Sequence, residues 1–349
     1  MFIFKRLFYY GVKGFLLLYT PFYFKNIRVF GKKHLPKDGG LLLSPNHQGA
    51  FLDPLLIGAF VPGTLHSLTR GDVFVPPYRW IFSAMQMLPV FRIRNGFSSL
   101  KNNEATFDKC HQLLGRKKKL LMFSEGLHHQ EHYLYPISKG SSRVAYQAQL
   151  KYPEIPIYIV PVGINYQDYN RPWKGLHLVF GEAISVTTVI EKHPKMVAAI
   201  NALRERLQIE MKKCLWIPEN NPAYIHQVYL LKKLDTTNDF QAIRDTLAQG
   251  SSPMQKKSAQ TNVVQRLIVA FLKGIHIIPR LISRFCVSRF SDPVLHGSVR
   301  YAAGILIFAP WFLFIFTIVS LATSLTIGVV GTALAIISLY LLLFIDNKY

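Results

Sequence analysis

From Ala302 to Ile345 the chain carries no charged residue, a run of 44, and no other stretch constrains the fold as strongly. One bilayer-spanning helix needs about 20 apolar residues, so this run has room for two. Ser320 to Thr326 supplies a Ser/Thr-rich turn for a two-helix hairpin, with a single long re-entrant hairpin as the alternative. Arg300 before the run and Lys348 after it place basic residues on both flanks. Basic flanks stay on the cytoplasmic side, so both ends are expected in the cytoplasm, at the inner membrane of the cell. At the other end, MFIFKRLFYYGVKGFLLLYTPFYF is apolar but interrupted by Lys5, Arg6 and Lys13, with no small-residue cleavage site after it. It reads as a retained interfacial anchor rather than a signal peptide.

The chain as a whole is strongly basic: 41 Lys and Arg against 19 Asp and Glu, a net charge of +22. Such an excess implies an anionic partner. Aromatic and aliphatic residues accompany the cations and no nucleic-acid-binding signature is present, so the partner is an anionic membrane surface and not nucleic acid. Val263 to Phe290 reads as basic amphipathic helix. Arg266, Lys273 and Arg280 recur every seven residues and drift only about 20° per step, forming a cationic stripe, with Pro279 kinking or ending its first part. Gln249 to Asn262 is Ser/Gln/Lys-rich and reads as a linker. Three scattered cysteines exclude a disulfide framework and suit a reducing compartment.

Between Asn26 and Trp216 short apolar runs alternate with helical segments. LLLSPN, LLMFSEG, IPIYIVPVGINY and LHLVFGEAI read as buried strands; Leu52–Phe60, Asn102–Leu114, Ser141–Leu150 and Met196–Lys213 read as helices. This alternation predicts an α/β fold, a mixed sheet flanked by helices. The expected division is an anchor over 1–25, the α/β domain over 26–218, a helical extension and linker over 219–262, basic amphipathic helices over 263–298 and the transmembrane hairpin over 299–349.

Four segments carry chemistry. In LLLSPNHQGAFLDPLLIGAF a strand ends, His47 sits in the turn, and Asp53 precedes Pro54 and an apolar helical run. Asp before Pro is a helix start, with Asp as N-cap and Pro as first helical residue. If the loop folds back, Asp53 accepts from one imidazole nitrogen and fixes the other as a proton acceptor, the arrangement of a general base acting on an alcohol. In MLPVFRIRNG an apolar strand precedes Arg92 and Arg94, and Arg matches phosphate through paired hydrogen bonds. In LLMFSEGLHH a buried strand delivers Glu125 and Gly126 to its carboxyl end, where ligands bind in open α/β sheets. IYIVPVGINY, with Pro161 suited to an edge or bulge, reads as an apolar wall with no part in the chemistry. Between the last two, Lys139 to Ser142 open a helix whose free amides can receive a phosphate, with Arg143 in its first turn.

Together these segments resemble the glycerolipid acyltransferases of the lysophosphatidate (1-acylglycerol-3-phosphate) acyltransferase type. The matching blocks are Asn46-His47 to Asp53, Pro89-Val90-Phe91-Arg92, Phe123-Ser124-Glu125-Gly126 and Ile159-Val160-Pro161-Val162, in the family's order, over about Phe30 to Glu182. Two departures stand out. Five residues, not four, separate His47 from Asp53, and the additional one is expected to bulge in the loop. Ser124 stands for the family's Pro, and Leu127-His128-His129 for Thr-Arg-Ser, so Arg92, Lys139 or Arg143 takes the missing arginine's part. The resemblance implies that His47 deprotonates an acceptor hydroxyl and Asp53 orients it, while Asn46, Arg92, Glu125, Gly126, Lys139 and Arg143 bind the phosphorylated lipid acceptor. It implies acyl-CoA or acyl carrier protein as donor, and neither metal nor cofactor. Glycerol 3-phosphate and amino-acid-containing lysolipids are alternative acceptors. Two other classes compete: a zinc peptidase using His128, Glu131 and His132 in a His-x-x-Glu-His pattern, with a third ligand from downstream, for instance Glu205, and a non-enzymatic basic membrane adaptor.

Overall fold

The computed structural model describes residues 2–91, 98–250 and 263–346. Helix α1 (Phe2–Tyr23) leads into β1 (Asn26–Phe30) and β2 (Gly40–Pro45); α2 (Leu52–Phe60), β3 (Leu65–Arg70), α3 (Arg79–Ala84) and β4 (Met87–Val90) follow. Next come α4 (Ser98–Gly115), β5 (Lys119–Leu121), α5 (Gly140–Lys151), β6 (Ile157–Tyr166), β7 (Gly175–Phe180) and β8 (Ile184–Ser185). Helices α6 (Val186–Lys192), α7 (Met196–Lys213), α8 (Tyr224–Lys233) and α9 (Phe240–Gln249) complete the domain. The C-terminal part holds α10 (Val263–Ile275), α11 (Ile277–Ser288), α12 (Val294–Ala303), α13 (Ala309–Ala322) and α14 (Leu325–Asp346).

The strands form one mixed sheet in the order β1-β7-β6-β2-β5-β3-β4, with β8 also on β6. β6 runs antiparallel to β7 and β8; the other pairings are parallel. Side chains alternate across the sheet with period two. Leu41, Leu43, Val160, Val162, Ile164 and Tyr166 face α1 and α2. Leu42, Leu120, Ile157 and Ile159 face α4, α5 and α7. The mixed sheet flanked by helices is thus as expected.

Pro161 departs from expectation, because β6 lies inside the sheet and not at its edge. β7 pairs with Val162–Tyr166 and β8 with Tyr158–Ile159, so the missing amide falls where pairing passes from one strand to the other. The Pro161 carbonyl still accepts from Gly181 N.

The lysines of α1 turn toward the domain: Lys5 donates to Ser83 Oγ, and Lys13 to the carbonyls of Val61 and Gly63. The opposite face exposes Ile3, Phe4, Leu7, Leu18 and Phe22. A helix with this outer face suits an apolar boundary. Helices α10 and α11 do likewise, exposing Val264, Leu267, Phe271, Ile278, Leu281 and Phe285. Their break falls at His276, not at Pro279. Pro279 is the third residue of α11, where a helix needs no amide hydrogen. From residue 251 on, the linker lies outside the described residues.

Two helical stretches, Val294–Ala322 and Leu325–Ile345, are long and apolar enough to cross a bilayer by length and composition. Thr323 and Ser324 join them, and α13 packs along α14. The first stretch begins ahead of the boundary expected at 299, because Asp292 Oδ1 accepts from Val294 N and starts the helix there. Gly304–Phe308 form a π-turn just before Pro310, whose ring cannot fit an unbroken α-helical ladder.

Candidate active site

The parallel strands β2, β5 and β6 end on one side of the sheet, and the site is built where their carboxyl ends meet. Asn46 leaves β2 with its side chain turned onto β6: its Nδ2 donates to Ile164 O at 3.0 Å and its Oδ1 accepts from Ile164 N at 2.7 Å. With both amide atoms so occupied and the residue 1% exposed, Asn46 braces the loop to the sheet and does not face the site.

His47 follows. Its Nδ1 donates to Asp53 Oδ2 at 2.8 Å, which leaves Nε2 as the ring's proton acceptor. Its ring stacks on Phe123, centroids 3.7 Å apart and planes 18° apart, and meets His128 edge-on at 5.6 Å. Asp53 is completely buried. Oδ2 also accepts from Gly49 N at 2.8 Å, and Oδ1 accepts from Tyr166 Oη at 2.7 Å. Burial pushes the Tyr166 phenol well above its ordinary range, aided by the Asp53 charge, so it stays a donor.

Asp53 is not the N-cap of α2. The helix starts at Leu52, as its expected range has it, with Phe51 at the cap, two residues before Asp53, and Pro54 is the third helical residue. The carboxylate is drawn back to His47, Gly49 and Tyr166 instead of capping its own helix. The additional residue is absorbed in the loop, where Ala50 has φ of 46°. Gly49 is forced by space: a Cβ there would stand 2.6 Å from Asp53 Oδ1 and 2.7 Å from Tyr166 Oη.

Glu125 and Gly126 lie just past β5, on the same side. Gly126 is exposed with φ of 75°, a turn that glycine adopts without strain. Glu125 is 7% exposed; Oε2 accepts from His129 Nε2 at 2.6 Å, and Oε1 has no hydrogen-bond partner among the described residues. Burial raises the Glu125 carboxyl above its ordinary range despite the lowering effect of His129. The His129 ring stacks on Tyr135 at 3.8 Å, and its amide donates to His47 O. Ser124, where the family has Pro, bonds Ser44 Oγ at 2.5 Å and Ser141 Oγ at 2.7 Å. These buried hydroxyls tie β2 and the start of α5 to the Glu125 turn. Lys139 and Arg143 are exposed at that start of α5, outside the His47–Asp53–Tyr166 network. Arg92 lies outside the described residues.

The peptidase pattern is not assembled. Residues 127–138 form no helix, so its histidines do not share a helical face. His128 Nε2 bonds Asp292 Oδ2 at 3.0 Å, and Glu131 Oε2 accepts from Tyr224 Oη at 2.5 Å. Among the described residues no three or more His, Cys, Asp or Glu side chains are gathered in a metal-binding group.

Sequence reasoning missed Tyr166, read as part of a wall, and His129. Period-two alternation does place Tyr166 on the face of Val162 and Ile164, but its partner is 113 positions away.

Residues 26–165 match the family model described as Acyltransferase. Among solved structures, the chain is similar to the crystal structure of the 1-acyl-sn-glycerophosphate (LPA) acyltransferase PlsC from Thermotoga maritima. The identity is 17%, the match covers 60% of this chain and 79% of that one, and the TM-score is 0.45. No curated protein matches the chain. The segment 26–165, which carries His47, Asp53 and Glu125, is thus the part of the chain similar to the acyltransferase family.

Proposed function

We propose that the protein moves a fatty acyl group from a thioester, acyl-CoA or acyl carrier protein, to a hydroxyl of a lysophospholipid, 1-acyl-glycerol 3-phosphate foremost. The observation that carries this reading is the imidazole of His47 held by a buried carboxylate that is itself held by Gly49 and Tyr166.

Asp53 keeps the His47 proton on Nδ1 and the lone pair on Nε2. Nε2 takes the proton of the acceptor hydroxyl as its oxygen attacks the thioester carbonyl. When the tetrahedral intermediate collapses, the C–S bond breaks and the thiolate takes the proton back from His47. Atoms and charge balance with no covalent acyl-enzyme. Glu125 Oε1, buried and without a partner, is assigned a hydroxyl of the acceptor. Lys139, Arg143 and Arg92 are assigned its phosphate, and Gly126 the close approach of the backbone. The outward apolar faces of α1, α10 and α11, with the hairpin, support a site held at the cytoplasmic face of the inner membrane, where acceptor and product reside.

Membranes from cells expressing the protein, offered 1-acyl-glycerol 3-phosphate, glycerol 3-phosphate and an amino-acid-containing lysolipid, test this directly. One acceptor should be acylated, and His47→Ala should lower the rate about 10²- to 10⁴-fold. Full activity in His47→Ala would refute the base. No acylation of any acceptor above background would leave the membrane-adaptor reading in its place.

A further inference from the structure

Helix α12, which opens the first long apolar stretch, reaches the loop between His47 and Asp53. Ser298 Oγ donates to Gly49 O at 2.6 Å and accepts from Leu52 N at 3.1 Å. The same Leu52 amide also bonds Gly49 O at 2.9 Å, so one hydroxyl completes a closed triangle across the turn. Gly49 is then held from both sides: its amide by the Asp53 carboxylate, its carbonyl by Ser298.

The loop needs such a hold. It carries one residue more than the four-residue spacing of the family it resembles, and Ala50 takes up the excess at φ of 46°, buried among its neighbours. An alanine in that region is strained and stays there only when its surroundings over-determine it. The α12 side of the contact is firm. A Cβ at Gly297 would stand 2.4 Å from Tyr169 O, so the helix approaches as closely as backbone allows. Tyr301, one turn further on, is 2% exposed and shares a 2.9 Å hydrogen bond with Thr20 Oγ1. Arg300 donates to Asn170 Oδ1 at 3.1 Å. Asp292, two residues ahead of α12, holds His128 beside the His47 ring.

We propose that Ser298 is a positioning residue of the active site, through which α12, the helix that leads into the apolar hairpin, closes the lengthened His47–Asp53 loop. The proposal rests on the acyl-transfer reading for its kinetic consequence only; the clamp itself has a readout that needs no substrate. In the full chain, in lipid nanodiscs, Ser298→Ala should lower kcat about 10- to 100-fold, the loss that follows a misplaced reacting group, with KM for the acceptor little changed. Ser298→Thr keeps the hydroxyl and should restore kcat. Ala50→Gly in the Ser298→Ala background should restore part of it, since glycine holds the turn without strain. Amide deuterium uptake over residues 49–52 should rise in Ser298→Ala and fall back in Ser298→Thr. Wild-type uptake and kcat in Ser298→Ala overturn the proposal, as does a threonine variant no better than alanine. If the wild type acylates nothing, the acyl-transfer reading fails alone and the uptake still decides the clamp.

Discussion

A fully buried carboxylate costs free energy unless donors occupy its oxygens. At Asp53 three donors do so, and Tyr166 is the sole hydrogen-bond partner of Oδ1 among the described residues. Tyr166→Phe leaves that oxygen buried and bare. It should lower stability by about 1–3 kcal/mol, and kcat about tenfold on the folded fraction as His47 loses its alignment. Thermal melts alongside single-turnover rates check both parts; a phenylalanine variant with wild-type kcat would limit Tyr166 to packing. Glu125 shows the converse. Its Oε1 lacks a donor among the described residues, and burial raises its carboxyl above the ordinary value of 4.5. The native state therefore keeps a proton that the unfolded chain has released. The resulting stability is complete below the unfolded value and is lost as pH rises through the raised native one. Glu125→Gln cannot ionise and should lack that loss. Melting temperatures of both proteins from about pH 4 upward should diverge in the variant's favour as pH rises, while acyl transfer falls at every pH. A constant difference across that range would remove the argument.

At the scale of elements, the legible parts were those whose signal is local. Helices α2 and α7 match their expected bounds, because an apolar stripe and its ends lie within one segment. LLMFSEG reads as strand to Gly126, whereas β5 ends at Leu121 and the chain turns after Met122 has bonded Leu43 O. The apolar run continues past the ladder because Phe123 is spent on the His47 ring, not on the sheet. β1 and β3 were not singled out. NIRVF and LHSLTR are short and mixed in burial, and their partners β7 and β5 lie far along the chain. The same limit governs the site. His47, Asp53 and Glu125 are marked by local turn chemistry. Tyr166, the brace from Asn46 to Ile164 and the Ser298 clamp exist only once the sheet order and the α12 packing bring distant segments together.

For the whole molecule, the proposed membrane attachment would combine two modes, and they differ in what breaks them. The hairpin of α13 and α14 would be held by apolar burial, which salt does not screen. In that proposal the outward faces of α1, α10 and α11 would add shallower apolar contact, and a net charge of +22 would add attraction to anionic lipid. That attraction fades as the Debye length shrinks to about 3 Å at 1 M salt. A chain ending at Ala303 keeps Ser298 and Tyr301 against the domain but loses the hairpin. The full chain should stay with the membrane through both high-salt and alkaline washes. The shortened chain should still bind vesicles, more strongly when they contain anionic lipid, and should leave them at about 1 M salt. Retention of the shortened chain through both washes would mean that α1 or the α10–α11 pair inserts deeply. Failure to bind anionic vesicles at all would assign attachment to the hairpin alone, leaving the exposed apolar faces to serve some other contact.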